Sequence, residues 1–160
     1  MTPEENFTAA VQNGFKKQRI LMQRLEVLSG VGVPDCSYSM EDLPGAGFIE
    51  IKRIVAWPKR ESTIVQLKHF SPQQKAWMKL HGPFVQRIFL LLQAEKEYML
   101  FPWTVVDQIG GLNKVDMYCL STANELGCRY WNNRIDYAEL KEALRRNHEI
   151  SPRYIKSDGT

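Results

Sequence analysis

Gly32-Val33-Pro34-Asp35 and Phe48-Ile49-Glu50-Ile51-Lys52, with fourteen residues between Asp35 and Glu50, decide how this chain is read. The second segment alternates apolar and polar residues, the signature of a strand with one face in a core. Glu50 and Lys52 then leave one face together, and Ile49 and Ile51 leave the other. In the first segment Pro34 fixes its own φ and pushes Val33 into an extended shape, so Asp35 is presented from a stiff approach. Two carboxylates and a lysine converging on one spot suit Mg²⁺, a hard cation that often takes only a few protein oxygens. The lysine can then hold or polarise a water or a phosphate oxygen. The plainer reading is a Glu50–Lys52 surface ion pair on an edge strand, with Asp35 as a turn residue.

Together these residues resemble the PD-(D/E)XK nuclease superfamily, with Pro34-Asp35 as its PD and Glu50-Ile51-Lys52 as its (D/E)XK. The GVPD form, the apolar-apolar-Glu-apolar-Lys form and Phe70-Ser71-Pro72-Gln73-Gln74 look like the VRR-NUC branch, which includes stand-alone phage and bacterial nucleases. The resemblance spans about residues 1 to 103. It implies an α/β, restriction-endonuclease-like fold: an αβββαβ core with a mixed sheet, followed by C-terminal helices. It implies Mg²⁺ or Mn²⁺ as cofactor, held by Asp35, Glu50 and the backbone carbonyl of Ile51, with Lys52 and Gln74 completing the catalytic set. A glutamate near the start of the first helix often joins such a site, and Glu4 and Glu5 both fit; Glu5 is carried forward as the further metal ligand. For either glutamate, complementing the helix dipole is an equally simple role.

Composition bounds the rest. A chain of 160 residues is most simply one domain, and 44% hydrophobic content is ordinary for a globular protein. No apolar run approaches the ~20 residues of a membrane span. The polar, acidic start Met1-Thr2-Pro3-Glu4-Glu5 reads as neither signal nor transit peptide, so the expected location is the cytoplasm, a phage-infected bacterial host included. Cys36, Cys119 and Cys128 are odd in number and lack CxxC spacing, which argues against a zinc site or a disulfide framework.

Charge is uneven. From Phe48 to Ala94 eight basic residues face only Glu50 and Glu61, a net of +6, so the remainder carries −3 of the overall +3. A basic segment around an acidic site suits a polyanionic substrate. Lys59, Arg60, Lys68, Lys75 and Lys79 are the DNA-contact candidates.

Along the chain, Pro3-Glu4-Glu5 opens a helix that Gly14 ends or loosens. A first strand lies in the later part of residues 20 to 28, with a turn over residues 29 to 32. Pro34 to Tyr38 is a short strand, Met40 to Gly47 a loop, and Gly47 to Trp57 the central strand. The basic insertion 53–70 reads as a hairpin, because Thr63 to Leu67 alternates like a strand. Ser71 caps a second helix, with Pro72 at its first position and Gln74 placed to reach back to the cap. Ala76, Trp77 and Leu80 are expected to face inward, and the helix to end near Gly82-Pro83. Phe84 to Gln93 and Tyr98 to Trp103 are paired strands. Residues 104–160 read as a helical extension of the same domain, with Arg129 to Arg134 as a connector and residues 150–160 as a polar tail.

The expected activity is metal-dependent endonucleolytic hydrolysis of DNA leaving 5′-phosphate and 3′-hydroxyl ends, selective for branched structures such as Holliday junctions. Stand-alone members of the branch suggest a homodimer, and no membrane partner is expected. The alternative is a catalytically silent DNA- or partner-binding module that keeps the nuclease fold. A third reading, a hydrolase pairing Cys36 with His69 or His81, has no supporting motif.

Overall fold

The computed structural model describes residues 1–25 and 32–146. The expected turn at residues 29–31 and the polar tail 150–160 lie outside the described residues. The elements run α1 (Pro3–Lys17), β1 (Ile20–Arg24), β2 (Cys36–Met40), β3 (Leu43–Ile54), α2 (Pro72–Val85), β4 (Ile88–Ala94), β5 (Glu97–Pro102), α3 (Lys114–Ser121), β6 (Arg129–Asn132) and α4 (Tyr137–Leu144). The first six are an αβββαβ core, as the restriction-endonuclease-like fold requires. The six strands form one sheet in chain order. Every neighbouring pair is antiparallel except β3 and β4, which are parallel and joined by α2 as a crossover.

The sheet is covered on both faces. Phe7, Val11 and Phe15 of α1 and Leu140, Ala143 and Leu144 of α4 pack with Ile49, Ile51, Phe89 and Leu91 on one face. Met78 of α2, Met117 of α3 and the insertion residues Trp57 and Val65 pack with Leu90, Leu92 and Phe101 on the other. β4 is therefore buried on both sides, which is why its sequence is an unbroken apolar run. In β3 the alternation holds: Ile49 and Ile51 enter the first core, and Glu50 and Lys52 take the opposite face.

Several boundaries differ from the sequence expectation, each for a local reason. α1 continues through Gly14 to Lys17; the glycine is there for close packing, since the Tyr137 ring of α4 occupies the space where a Cβ would stand. Arg19, at φ 60, then turns the chain, and β1 starts at once at Ile20. Met40 pairs with Leu43, so the hairpin turn is only Glu41-Asp42 and β3 already includes Pro44 to Gly47. Gly47 is required there: a Cβ would meet the Tyr38 ring. α2 runs past Pro83 to Val85, and Gln86 ends it at φ 67. Its inward stripe is Met78 and Gly82, while Leu80 is 68% exposed, Trp77 half-buried and Ala76 exposed.

The insertion is not a hairpin. Past the end of β3 at Ile54, its one β contact among the described residues is a bridge between Ile64 and Asn113, beside a Val65 N–H donating to Leu112 O at 2.9 Å. Trp57 fixes the other end: its indole N–H donates to Glu97, whose second oxygen accepts from Tyr130 OH at 2.7 Å. The alternation of Thr63 to Leu67 reflects Val65 entering the core rather than membership of a sheet. Arg129 to Asn132 is likewise an edge strand on β5, not a connector.

Candidate active site

The site forms where two strands part. β2 and β3 pair as far as Cys36 opposite Ile49 and no further, while β3 continues to Ile54 along β4. Asp35 and Glu50 are the first residues past that pair. The Asp35 N–H donates to Glu50 Oε2 at 3.1 Å, bridging the opening. Within β3, Phe48 N–H donates to Arg87 O at 2.9 Å, and Ile54 O accepts from Glu95 N–H at 3.3 Å, so even-numbered residues bond β4. Odd-numbered ones present N–H and C=O to the side β2 has left. The Ile51 carbonyl therefore faces the opening beside Asp35 and Glu50.

Lys52 gathers the carboxylates. Its Nζ is 2.9 Å from Glu50 Oε1, 3.7 Å from Glu4 Oε1 and 3.9 Å from Asp35 Oδ2. Glu50 and Lys52 are only 1% and 6% exposed, whereas Asp35 keeps nearly half its side chain open. Burial, followed by the neighbouring Asp35 charge, pushes the Glu50 carboxyl up to about 8. Burial works to lower the Lys52 ammonium, but Glu50, Asp35 and Glu4 outweigh it and the net shift is upward. One cation thus serves three carboxyl groups, which leaves an excess of negative charge around a buried point.

Gln74 joins this cluster from α2. Its Oε1 accepts from Ser71 N–H at 2.8 Å in a capping box, and its Nε2 donates to Glu50 Oε1 at 3.0 Å. Because the cap needs an acceptor and the carboxylate needs donors, the amide has one orientation that satisfies both. The two sequence readings of Gln74 are one geometry.

Gly32 seats the Asp35 approach against the same helix. It sits at φ +89, and a Cβ there would lie 2.3 Å from the Gln73 carbonyl oxygen. Gly32→Ala should destabilise the fold by about 1–2 kcal/mol from the left-handed backbone alone, with the clash adding to it. The urea midpoint measures this, and an unchanged midpoint would mean the segment reseats freely.

Of the two N-terminal glutamates, the structure brings Glu4 to Lys52 and not Glu5. Glu5 accepts from Thr2 N–H at 2.7 Å while Thr2 Oγ1 accepts from Glu5 N–H, a reciprocal cap at the start of α1. The Thr2-x-x-Glu5 spacing carries that signal in the sequence.

The basic candidates divide. Lys59, Arg60 and Lys68 are exposed on the insertion. Lys75 and Lys79 are engaged by the segment after β5: Lys75 donates to Ile109 O, and Lys79 pairs with Asp107. Arg87 is buried and donates to Pro44 O at 2.7 Å. Lys75 and Arg87 are thus tied to backbone carbonyls, while Lys79 stays exposed in a surface ion pair. Cys36 is buried and its thiol is pushed up to about 12 by burial, so it is inert as a nucleophile. His81 is stacked on Trp77.

No family model matches the chain, and no curated protein does. Among solved structures it is similar to Hjc, a Holliday junction resolvase from Archaeoglobus fulgidus, described as an archaeal hyperthermophile. The identity is 15%, over 62% of this chain and 77% of that one, with a TM-score of 0.44. A likeness at that level transfers neither family nor activity to this chain.

Among the described residues no group of three or more His, Cys, Asp and Glu side chains is spaced to hold a metal ion. The oxygen donors that do converge are the Asp35 and Glu50 carboxylates, with the Ile51 carbonyl beside them. That set fits a hard divalent cation that completes its shell with water and substrate oxygens. The uncompensated negative charge around Lys52 favours the same occupant.

Proposed function

We propose that this protein is a divalent-metal-dependent deoxyribonuclease acting on branched or otherwise structured DNA, Holliday junctions among them. The observation that supports this best is the convergence of Asp35, Glu50, Lys52 and Gln74 where β2 and β3 part. Asp35, Glu50 and the Ile51 carbonyl would hold Mg²⁺ or Mn²⁺, which would polarise the scissile phosphate and lower the pKa of a bound water. Gln74 and the Asp35 N–H fix the Glu50 carboxylate. Lys52 supplies a positive charge for the attacking water or the developing phosphate charge. Asp35, the most open of the three, faces substrate. Two copies related by a two-fold axis would cut two strands symmetrically.

Incubating purified protein with supercoiled plasmid and with a four-way junction, in Mg²⁺ and in EDTA, tests the reading. Metal-dependent cleavage with preference for the junction is expected. Binding without cleavage in Mg²⁺ would favour the silent module.

Glu50 makes metal binding pH-dependent. Its folded carboxyl is raised from 4.5 to about 8, so the metal-free folded state holds a proton that the unfolded chain has lost. That contribution to stability is present at low pH and fades as pH rises through about 8. A cation must displace the proton, so its affinity rises over the same window. The gain in melting temperature on adding Mn²⁺ should therefore grow from pH 5 to 8 and then level off. A gain independent of pH would remove Glu50 from the ligand set.

Lys59 and Arg60 sit exposed on the insertion. Neutralising both should flatten the slope of log K against log salt by up to about two units if each touches a duplex phosphate. An unchanged slope would place that part of the insertion away from DNA.

A further inference from the structure

A groove of about 380 Å³ opens directly beside the cluster, with Glu4 and Lys52 in its wall. Its lining also takes in the returning leg of the insertion, with Lys68 and His69, and Val55, which is 69% exposed. The insertion is held at both ends, by Trp57 on Glu97 and by Val65 on Leu112, so this part of the lining is preformed. Among the described residues no hydrogen bond or ion pair occupies the side chains of Lys68 or His69. Arg53 also lines the groove and brings a third cation to it, with its Nη1 donating to Pro3 O at 3.3 Å.

We infer that this groove is a subsite for one unpaired nucleotide flanking the scissile phosphate, its phosphate taken by Arg53, Lys68 and His69 and its sugar and base lying against the apolar lining that includes Val55. The inference rests on the nuclease reading for the position of the scissile phosphate. The chemistry is that of single-strand binding: cations along the backbone and an apolar surface for the sugar and base. The volume lies at the low end of small-ligand pockets, about 300–1,000 Å³, which suits one nucleotide and excludes a base pair. Selectivity for structured DNA then arises from the need for an unpaired nucleotide at the cut, in a groove built by the insertion.

The test is equilibrium binding in EDTA, by fluorescence anisotropy, of a continuous duplex and of the same duplex carrying a three-nucleotide gap. Wild type and the Lys68→Ala,His69→Ala double variant are compared. Wild type should bind the gapped DNA about tenfold more tightly. The double variant should lose that preference, its affinity for the gapped DNA falling about tenfold further than its affinity for continuous duplex. Equal losses on both DNAs would reduce Lys68 and His69 to general phosphate attraction, and an intact preference would move the subsite elsewhere; either overturns the inference. Cleavage is not read here, so the outcomes separate. Gap preference without any metal-dependent cleavage by wild type keeps the subsite and rejects the nuclease. Cleavage without gap preference does the reverse.

Discussion

Glu50→Gln should abolish metal-dependent cleavage, a loss of at least about 10³-fold by comparison with removal of a single electrostatic contact. The substitution keeps the side chain's volume and an oxygen to accept from the Asp35 N–H, while its new amide N–H groups face the Gln74 and Lys52 donors that Glu50 Oε1 accepts, a local cost the fold should survive. It removes a buried carboxyl whose ionised form is disfavoured by burial and by Asp35. Asp35→Ala, at a half-exposed side chain, should lose activity as fully with little change in stability. Plasmid nicking paired with thermal unfolding reads both quantities. Cleavage retained by either folded variant would remove that residue from the mechanism.

Lys52→Ala should lower the single-turnover rate at saturating DNA by about 10²–10³-fold, because its charge serves the transition state more than the ground state. The ammonium is buried among three carboxyl groups, so it cannot be part of a broad DNA-binding surface. Lys52→Arg should also fail, since a planar fork cannot occupy the place of a compact point charge. Metal affinity should stay level or rise as a neighbouring positive charge is removed. A normal single-turnover rate with weakened DNA binding would reassign Lys52 to phosphate attraction.

The parts of this structure legible in the sequence are those in which neighbouring residues carry the signal. The alternation around Glu50, the apolar run of β4 and the Ser71 cap are local patterns, and each forms the expected element. The inward face of α2 was not legible, because the apolar Trp77 and Leu80 compete with a stripe set by contact. Gln74 on Glu50 fixes the helix's phase, and Met78 and Gly82 follow at four-residue steps. Glu4 and Glu5 could be separated only by seeing that Thr2 already engages Glu5. The strand at Arg129 to Asn132 is short, and its partner β5 lies about thirty residues earlier, so nothing local marks it. The insertion alternates like a strand because Val65 is anchored in the core through Leu112, a partner that only the folded chain brings near.

The most direct measurement is a Mn²⁺ titration of the protein without DNA, followed by electron paramagnetic resonance, for wild type, Asp35→Ala and Glu50→Gln. One Mn²⁺ site per chain in the wild type, weakened at least tenfold in each variant, is what the cluster predicts. Absence of binding at millimolar Mn²⁺, or binding undiminished in both variants, would contradict a metal centre built on Asp35 and Glu50.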